Sequence, residues 1–130
     1  MAIQILVDNK HYTLSADVDK NRAYLKIKGY WRNVDAVPDY LRDWKKTLEK
    51  VTEGFTLLTD ATEMKTHPQD VRKLHEEAQG LVLKAGIARI AEVVKDDIAE
   101  MQLDSVAEST KFPKKNFRLV EEAERWLDQS

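Results

Sequence analysis

"YLKIKGYWRNVDAVPDYLRDWKKTLEKV" spans residues 24–51, and the period of its apolar side chains changes part-way along. Up to Trp31 the apolar residues alternate with polar ones, which is typical of a β-strand with one buried face. Beyond Trp31 they recur every three or four residues, which predicts an amphipathic helix. Asn33 or Asp35 can cap this helix, and Pro38 is tolerated in or near a first turn. A strand that leads directly into a helix is the building unit of α/β folds.

The chain before this stretch repeats the alternating pattern twice. Residues 3–7 and 12–18 alternate in polarity, and each run is followed by turn-forming residues, "DNK" at 8–10 and "DKN" at 19–21. Turns this short join antiparallel neighbours. We therefore expect a three-stranded antiparallel meander with one face in the core.

After residue 51, predicted strands alternate with predicted helices. The strands are expected at residues 55–60, 87–94 and 116–120, and the helices at 66–85, after a cap at Asp96 or Asp97, and at 121–130. Gly86 is expected to stop the helix before it. The residues predicted to face inward from the last two helices are Ile98, Met101, Ser105, Val106, Ala123, Trp126 and Leu127. Strands separated by helices pair in parallel through right-handed crossovers. The predicted fold class is α/β, a mixed β-sheet with an N-terminal antiparallel meander and helices mainly on one face.

Composition narrows the class of protein. The 130 residues predict a single domain, residues 1–130, that is large enough to bury a hydrophobic core without stabilising cross-links. The net charge of −2, from 21 basic and 23 acidic residues, gives no field that favours nucleic acid or an anionic membrane. The absence of cysteine excludes disulfides and a thiolate nucleophile. The start "MAIQILVDNK" is not typical of a signal peptide, and no apolar run is long enough to span a bilayer. A cytoplasmic protein is expected.

Four stretches in this order resemble the SpoIIAA-like branch of the STAS family, including short bacterial proteins of STAS/CRAL-TRIO-like type. They are "YLKIKGYW", "FTLLTDATEMKTHPQDV", "AGIARIAEVV" with "IAEMQL", and "FRLVEEAERWL". The resemblance implies a STAS-like fold and a non-enzymatic regulatory module that binds a protein partner. In the founding members a phosphorylatable serine opens the helix after the central strand, which corresponds here to about Gln69 or Asp70. "THPQD" contains no serine, and Thr66 is the nearest hydroxyl.

The loop between the central strand and the next helix is the predicted partner or regulatory loop. Its candidate residues are Asp60, Thr66, His67, Gln69 and Asp70. Thr66 and Gln69 have the spacing of a capping box, the favoured interpretation over a phosphorylation site. The acids around His67 match no defined metal motif, so no metal and no cofactor are expected.

Several side chains outside this loop are also candidates. His75 lies on an apolar stripe and is interpreted as a packed histidine. A local basic-aromatic cluster consists of Lys111, Phe112, Lys114, Lys115, Phe117 and Arg118, and a solvated loop is the favoured interpretation. A second group, interpreted either as core or as a ligand or dimer surface, consists of Tyr24, Tyr30, Trp31, Tyr40 and Trp44.

The leading functional prediction is a small regulatory module that acts by protein–protein association, with a homodimer as one form of it. The alternative is a carrier or sensor of a small apolar ligand such as a lipid, in a cavity near Trp31, Trp44 and Met101. An enzyme that uses residues 60–70 is a third reading, but no catalytic motif is present, and no catalytic residue is predicted.

Overall fold

The computed structural model describes residues 3–129 and contains one six-stranded mixed sheet. The strands lie side by side in chain order, antiparallel from β1 to β3 and parallel from β3 to β6. They are β1 (Ile3–Asp8), β2 (Tyr12–Asp17), β3 (Arg22–Gly29), β4 (Thr56–Met64), β5 (Arg89–Val94) and β6 (Lys114–Phe117). The helices are α1 (Tyr40–Leu48), α2 (Gln69–Lys84), α3 (Asp97–Thr110) and α4 (Val120–Asp128). The predicted fold class and element order are confirmed.

Helices α1, α2 and α3 cover one face of the sheet, because three successive right-handed crossovers step in the same direction. The main core lies beneath them and is anchored by Trp31, Trp44 and Phe55. Helix α4 lies on the opposite face, where Ala123 and Leu127 join a small second core. The rest of that face, over β1 to β3, carries exposed apolar side chains. We call it the open sheet face.

Helix α1 begins later than the sequence predicts. Residue 34 opens a short 3₁₀ turn, Val34–Ala36, and the α-helix starts only at Tyr40. Neither expected cap acts, since Asn33 precedes the 3₁₀ turn without a side-chain hydrogen bond and Asp35 lies inside it. The reason is Pro38, which disfavours helical backbone in the residue before it.

Strand β4 runs past its predicted end at Asp60 to Met64. The pairing with β3 jumps from Lys26 opposite Asp60 to Lys28 opposite Glu63. This is a β-bulge, in which an extra residue is accommodated and the strand continues. Asp60 stabilises the bulge, because its Oδ1 accepts hydrogen bonds from Thr62 N at 3.0 Å and Thr62 Oγ1 at 2.6 Å.

The predicted capping box at the start of α2 is wrong. The N-cap is Pro68, whose backbone is extended and whose side chain makes no capping hydrogen bond. Thr66 lies outside the helix because a proline at 68 keeps His67 out of helical conformation. Asp70 serves the first turn instead, since its Oδ1 accepts from Val71 N at 2.9 Å and its charge suits a helix start.

The inner face of α3 is also predicted incorrectly, although its cap is right. Asp96 accepts a hydrogen bond from Ala99 N at 2.9 Å. The buried residues of α3 are Ala99, Leu103, Val106 and Ala107. Ile98 is 66% exposed and Met101 69% exposed, and Ser105 is exposed. The inward stripe of α3 thus combines two alanines with Leu103 and Val106. In α4, Trp126 is half-buried while Ala123 and Leu127 are buried as predicted.

Candidate functional site

Strands β4 and β5 end at different levels, which leaves a groove at the carboxyl edge of the sheet. Pairing between them ends with Ala61 opposite Val94, whereas β4 continues until Met64 lies opposite Gly29. The resulting groove has a volume of about 250 Å³. It is lined by Met64, Lys65, Thr66, Lys95, Asp96, Ile98, Ala99 and Gln102. We call it the edge groove.

The edge groove combines cationic, apolar and hydroxyl groups. Lys65 and Lys95 are exposed, and within residues 3–129 neither side chain forms an ion pair. Ile98 adds an apolar side chain that is 66% exposed, and Thr66 is exposed beside it. The one carboxylate in the groove, Asp96, caps α3. Two unpaired cations next to an exposed apolar group suit an acidic peptide segment.

The predicted loop residues do not form one cluster. Thr66 lines the edge groove, while Asp60 belongs to a bulge of β4 and lines a groove on the open sheet face. Gln69 is exposed at the first position of α2. Asp70 Oδ2 accepts from Val34 N at 3.2 Å, so this acid joins α2 to the 3₁₀ turn. The acids do not surround His67, and within residues 3–129 no group of three or more potential ligands could hold a metal ion.

His67 points inward and pairs with His75 of α2. Its Nδ1 lies 3.0 Å from His75 Nε2, and one ring must donate while the other accepts. Trp31 packs against both rings, with centroid distances of 4.9 Å and 5.0 Å. Burial lowers the pKa of His67 to about 4 and that of His75 to about 3, with the neighbouring His67 also lowering the latter. Both histidines are therefore neutral near pH 7, and the packed interpretation of His75 fits its burial.

The predicted aromatic surface is mostly core. Trp31, Tyr40 and Trp44 are each at most 1% exposed, so these three cannot form a ligand or dimer surface on the outside. Tyr24 is half-buried and packs against the second core beneath α4. Tyr30 is 53% exposed and is the member that lies at the surface. Burial of the other rings follows from T-shaped contacts such as that of Trp31 with Tyr40, at 5.0 Å between centroids.

Within residues 3–129, the core cavity near Trp44 is smaller than a lipid carrier needs. Beneath α1 and α2 the core has a cavity of about 30 Å³ whose lining includes Tyr40 and Trp44. An acyl chain or a drug-sized ligand occupies roughly ten times that volume. Met101, predicted to line the cavity, lies on the outer side of α3 instead. The predicted apolar-ligand cavity is thus wrong in size and in part of its lining.

The basic-aromatic cluster is dispersed among ion pairs. Lys114 is buried between Glu92, at 2.8 Å, and Asp104, at 2.5 Å. Arg118 pairs with the first turn of α3, and Phe112 is buried in the main core. Lys115 lies 5.5 Å from the ring centroid of Trp126. Two of the cluster's four cations, Lys114 and Arg118, are therefore neutralised internally. The interpretation of the cluster as a solvated loop is wrong, because Lys114–Phe117 forms strand β6.

The open sheet face provides a second concave surface of about 270 Å³. Its lining includes Ile3, Tyr24 and Val120. Ile3 is 50% exposed, and neighbouring Ile5 on the edge strand is 62% exposed. The lysine of this lining is paired, since Lys26 Nζ contacts Glu63 Oε2 at 2.7 Å, and Asp60 accepts hydrogen bonds from Thr62. It therefore carries apolar area but little free charge.

Comparison with known proteins gives a structural likeness alone. No protein-family model matches the chain. No curated protein is similar to it in sequence. An uncharacterized protein of the DUF3478 family from Shewanella loihica PV-4, with a SpoIIAA-like fold, superimposes with a TM-score of 0.57. Its sequence identity is 19%, over 97% of this chain and 92% of that chain. This chain has a SpoIIAA-like fold.

Two structures of SiaC from Pseudomonas aeruginosa are also similar. SiaC has a TM-score of 0.49 and 13% identity, covering 90% of this chain and 100% of its own. Apo-SiaC has a TM-score of 0.46 and 14% identity, covering 89% and 98%. The predicted resemblance to the SpoIIAA-like STAS proteins is confirmed as a resemblance of fold.

None of the helices within residues 3–129 has the length and apolar character of a membrane-spanning segment.

The start of helix α2 shows which residues occupy the position where the sequence resemblance expected a serine. Helix α2 begins at Gln69, so Gln69 and Asp70 occupy the first turn, where the resemblance expected the phosphorylatable residue. The nearest hydroxyl, Thr66, precedes that turn and opens onto the edge groove. Sequence reasoning missed Lys65, Lys95 and Ile98 as members of this site. Their sequence signal was weak: Lys95 directly follows a predicted strand, and Lys65 and Ile98 lie within five residues of the end of one, where α/β proteins commonly bind ligands.

Proposed function

We propose that this chain is a non-enzymatic module that associates with a protein partner through the edge groove. The observation that carries the proposal is the pair of unpaired lysines, Lys65 and Lys95, beside the exposed Ile98. A complementary partner presents an acidic segment with at least one apolar side chain.

A binding role is favoured over an enzymatic one by the state of the titratable groups. His67 and His75 are buried against each other. Glu92 is buried next to the ammonium of Lys114, and burial raises its pKa while Lys114 opposes that shift. None of these groups borders the edge groove. A catalytic acid or base has to reach a substrate proton directly or through one water.

Site-specific photocrosslinking in the native host tests this proposal. A benzoylphenylalanine at position 98 is expected to crosslink a protein, whereas the same residue at position 18 is not. Val18 is a matched control, since it is 53% exposed and follows β2 at the opposite edge of the sheet. Equal crosslinking at both positions, or none at 98, would contradict the proposal. If the crosslinked protein is a second copy of this chain, the association is a homodimer.

Charge reversal tests the partner's chemistry. Lys65→Glu combined with Lys95→Glu is expected to abolish the crosslink from position 98, because it replaces attraction of an acidic segment by repulsion. The control is Lys50→Glu combined with Lys84→Glu, which changes the net charge equally at exposed positions near the opposite edge. If both double variants retain the crosslink, the acidic nature of the partner is wrong.

Thr66 supports a second proposal, that phosphorylation regulates this groove. Its hydroxyl is exposed, does not cap α2, and shares the groove with Lys65 and Lys95. A phosphothreonine brings nearly two negative charges, which the two lysines would neutralise, so an acidic partner would be displaced. Intact mass measurement of protein purified from its host should reveal a phosphorylated species. Thr66→Ala should remove it and Thr52→Ala, at another exposed threonine, should not.

A further inference from the structure

Helix α3 carries apolar side chains on its exposed side as well as on its buried side. Met101 is 69% exposed and Ile98 is 66% exposed, more than any other large apolar side chain within residues 3–129. They are three residues apart, so they lie next to each other on one side of the helix. We call this pair the outer ridge of α3. A helix with apolar groups on opposite sides is typically covered on both.

Two grooves of opposite charge lie on either side of the outer ridge. The edge groove includes Ile98 and the cations Lys65 and Lys95. The second groove, of about 380 Å³, includes Met101. At 3.6 residues per turn, positions 98 and 102 lie on one side of position 101, and positions 97, 100 and 104 lie on the other. We call the second groove the acid groove, because the charged residues of its lining are all acids: Asp97, Glu100, Asp104 and Glu108.

The acid groove keeps an excess of negative charge despite its ion pairs. Each of two cations is shared between two carboxylates, Arg118 between Asp97 and Glu100 and Lys114 between Asp104 and Glu92. Glu108 is exposed, and its carboxylate forms no ion pair in the part of the chain that the structure describes. One helix therefore separates an acidic surface from a basic one, with exposed apolar side chains between them.

We propose that the partner of this surface is a second copy of the same chain, related to the first by a two-fold axis that passes beside Met101. This inference rests on the proposed binding role of the edge groove and names its partner. Rotation by 180° about such an axis places the two outer ridges in contact and each edge groove opposite the acid groove of the other copy. Every attraction is then made twice, as in any isologous interface. The ridges lose their contact with water, which also favours association.

A second copy supplies both features that the edge groove requires of a partner. The acid groove provides the negative charge, and Met101 provides the apolar side chain. The contact is confined to one helix and its two grooves in each copy, which is a small interface. The dimer should therefore dissociate on dilution.

A single introduced thiol tests the position of the axis, because the natural chain has no cysteine. The Met101→Cys variant should form a disulfide-linked dimer in high yield under mild oxidation, since position 101 of one copy faces position 101 of the other. Ile5→Cys is the control, because Ile5 is 62% exposed on strand β1 at the edge of the sheet. Equal yields from the two variants, or a higher yield from Ile5→Cys, would overturn the proposal.

Sedimentation over a series of protein concentrations measures the dimer and its charge pairing. Lys95→Glu and Glu108→Lys should each weaken the dimer several-fold, and the double variant, which exchanges the two charges, should recover most of that loss. Both side chains are exposed, and within residues 3–129 neither forms an ion pair, so the variants should fold. A double variant weaker than either single variant would contradict the pairing of the two grooves.

The dimer and the proposed binding role fail in different ways. If the natural chain sediments as a monomer at every concentration while position 98 crosslinks a different protein in the host, the dimer is wrong and the binding role of the edge groove stands. If position 98 crosslinks no protein at all, both are wrong.

Discussion

Acid should destabilise this protein through its buried histidine pair. His67 and His75 have pKa values lowered to about 4 and about 3 from an ordinary value of 6.5. A histidine with a lowered folded pKa stabilises the fold above its unfolded pKa, and that contribution is lost as the pH falls. At pH 5 the pH is about 1.5 units below the pKa of each histidine in the unfolded chain. Proton binding by the unfolded chain therefore lowers the free energy of unfolding by about 2 kcal/mol per histidine. Together the pair should remove about 4 kcal/mol of unfolding free energy between pH 7.5 and pH 5.

The geometry gives this loss a structural cause. His67 Nδ1 and His75 Nε2 face each other at 3.0 Å, which requires one donor and one acceptor. Protonation of both rings would bring two N–H groups together without an acceptor, and in a site that Trp31 screens from solvent. A loss of about 4 kcal/mol is large against the 5–15 kcal/mol that stabilises a typical domain.

Urea unfolding at a series of pH values measures this effect. The double variant His67→Gln with His75→Gln keeps hydrogen-bonding side chains but cannot titrate, so its stability should vary less with pH. Glu92, whose raised pKa acts in the opposite direction, is common to both proteins and cancels in the comparison. His11→Gln is the control, since His11 lies at the β1–β2 turn and is only half-buried. Identical pH profiles for the natural sequence and the double variant would refute the reasoning.

Two further pairs of variants are measured by urea unfolding at pH 7. Asp96→Ala should cost about 1 kcal/mol through loss of the α3 cap, whereas Thr66→Ala should change stability by less than about 0.5 kcal/mol. Equal losses would mean that Thr66 caps α2 after all. Gly86→Ala should cost about 1–2 kcal/mol, because φ is +92° and the new Cβ would lie 2.7 Å from Glu53 Cγ. Gly80→Ala, in the middle of α2 with open space around it, should instead stabilise by about 0.5–1 kcal/mol.

The topology could be predicted because burial repeats with the period of each element. Leu25 and Ile27 alternate with lysines on β3, and Tyr40 and Trp44 are one helical turn apart on α1. These patterns indicate which face of each element packs against the core, and the short turns indicate which strands are antiparallel. Side-chain patterns of this kind are local, so they survive in a single sequence.

The predictions that failed depended on contacts between distant parts of the chain. A Thr-x-x-Gln spacing favours a helix start at Thr66, but Pro68 and the burial of His67 move it to Gln69. Hydrophobicity favours Ile98 as a core residue of α3, but the orientation of the helix on the sheet buries its neighbour Ala99 instead. In the first case the local preference, a helix cap, is worth about 1 kcal/mol, less than burial of one large side chain.

The edge groove lay furthest from what sequence alone could predict. It exists because β4 extends beyond the end of β5, and this extra length of β4 depends on a bulge in its pairing with β3. A one-residue change of register would turn every following side chain to the other face of the sheet. Asp60 and Thr62 hold the bulge together, so an acid that was expected to be a functional candidate acts by setting the register of β4.

The buried histidine pair and the edge groove are parts of one segment. Met64 and His67 are 3% and 7% exposed, while Lys65 and Thr66 between them are exposed. The two inward anchors thus fix the loop so that its charge and hydroxyl face outward. Release of His67 on protonation would free the carboxyl end of this loop while Met64 still held the other end. The core therefore determines the shape of the surface that we propose for partner binding, and a substitution at His67 has to be judged by both stability and binding.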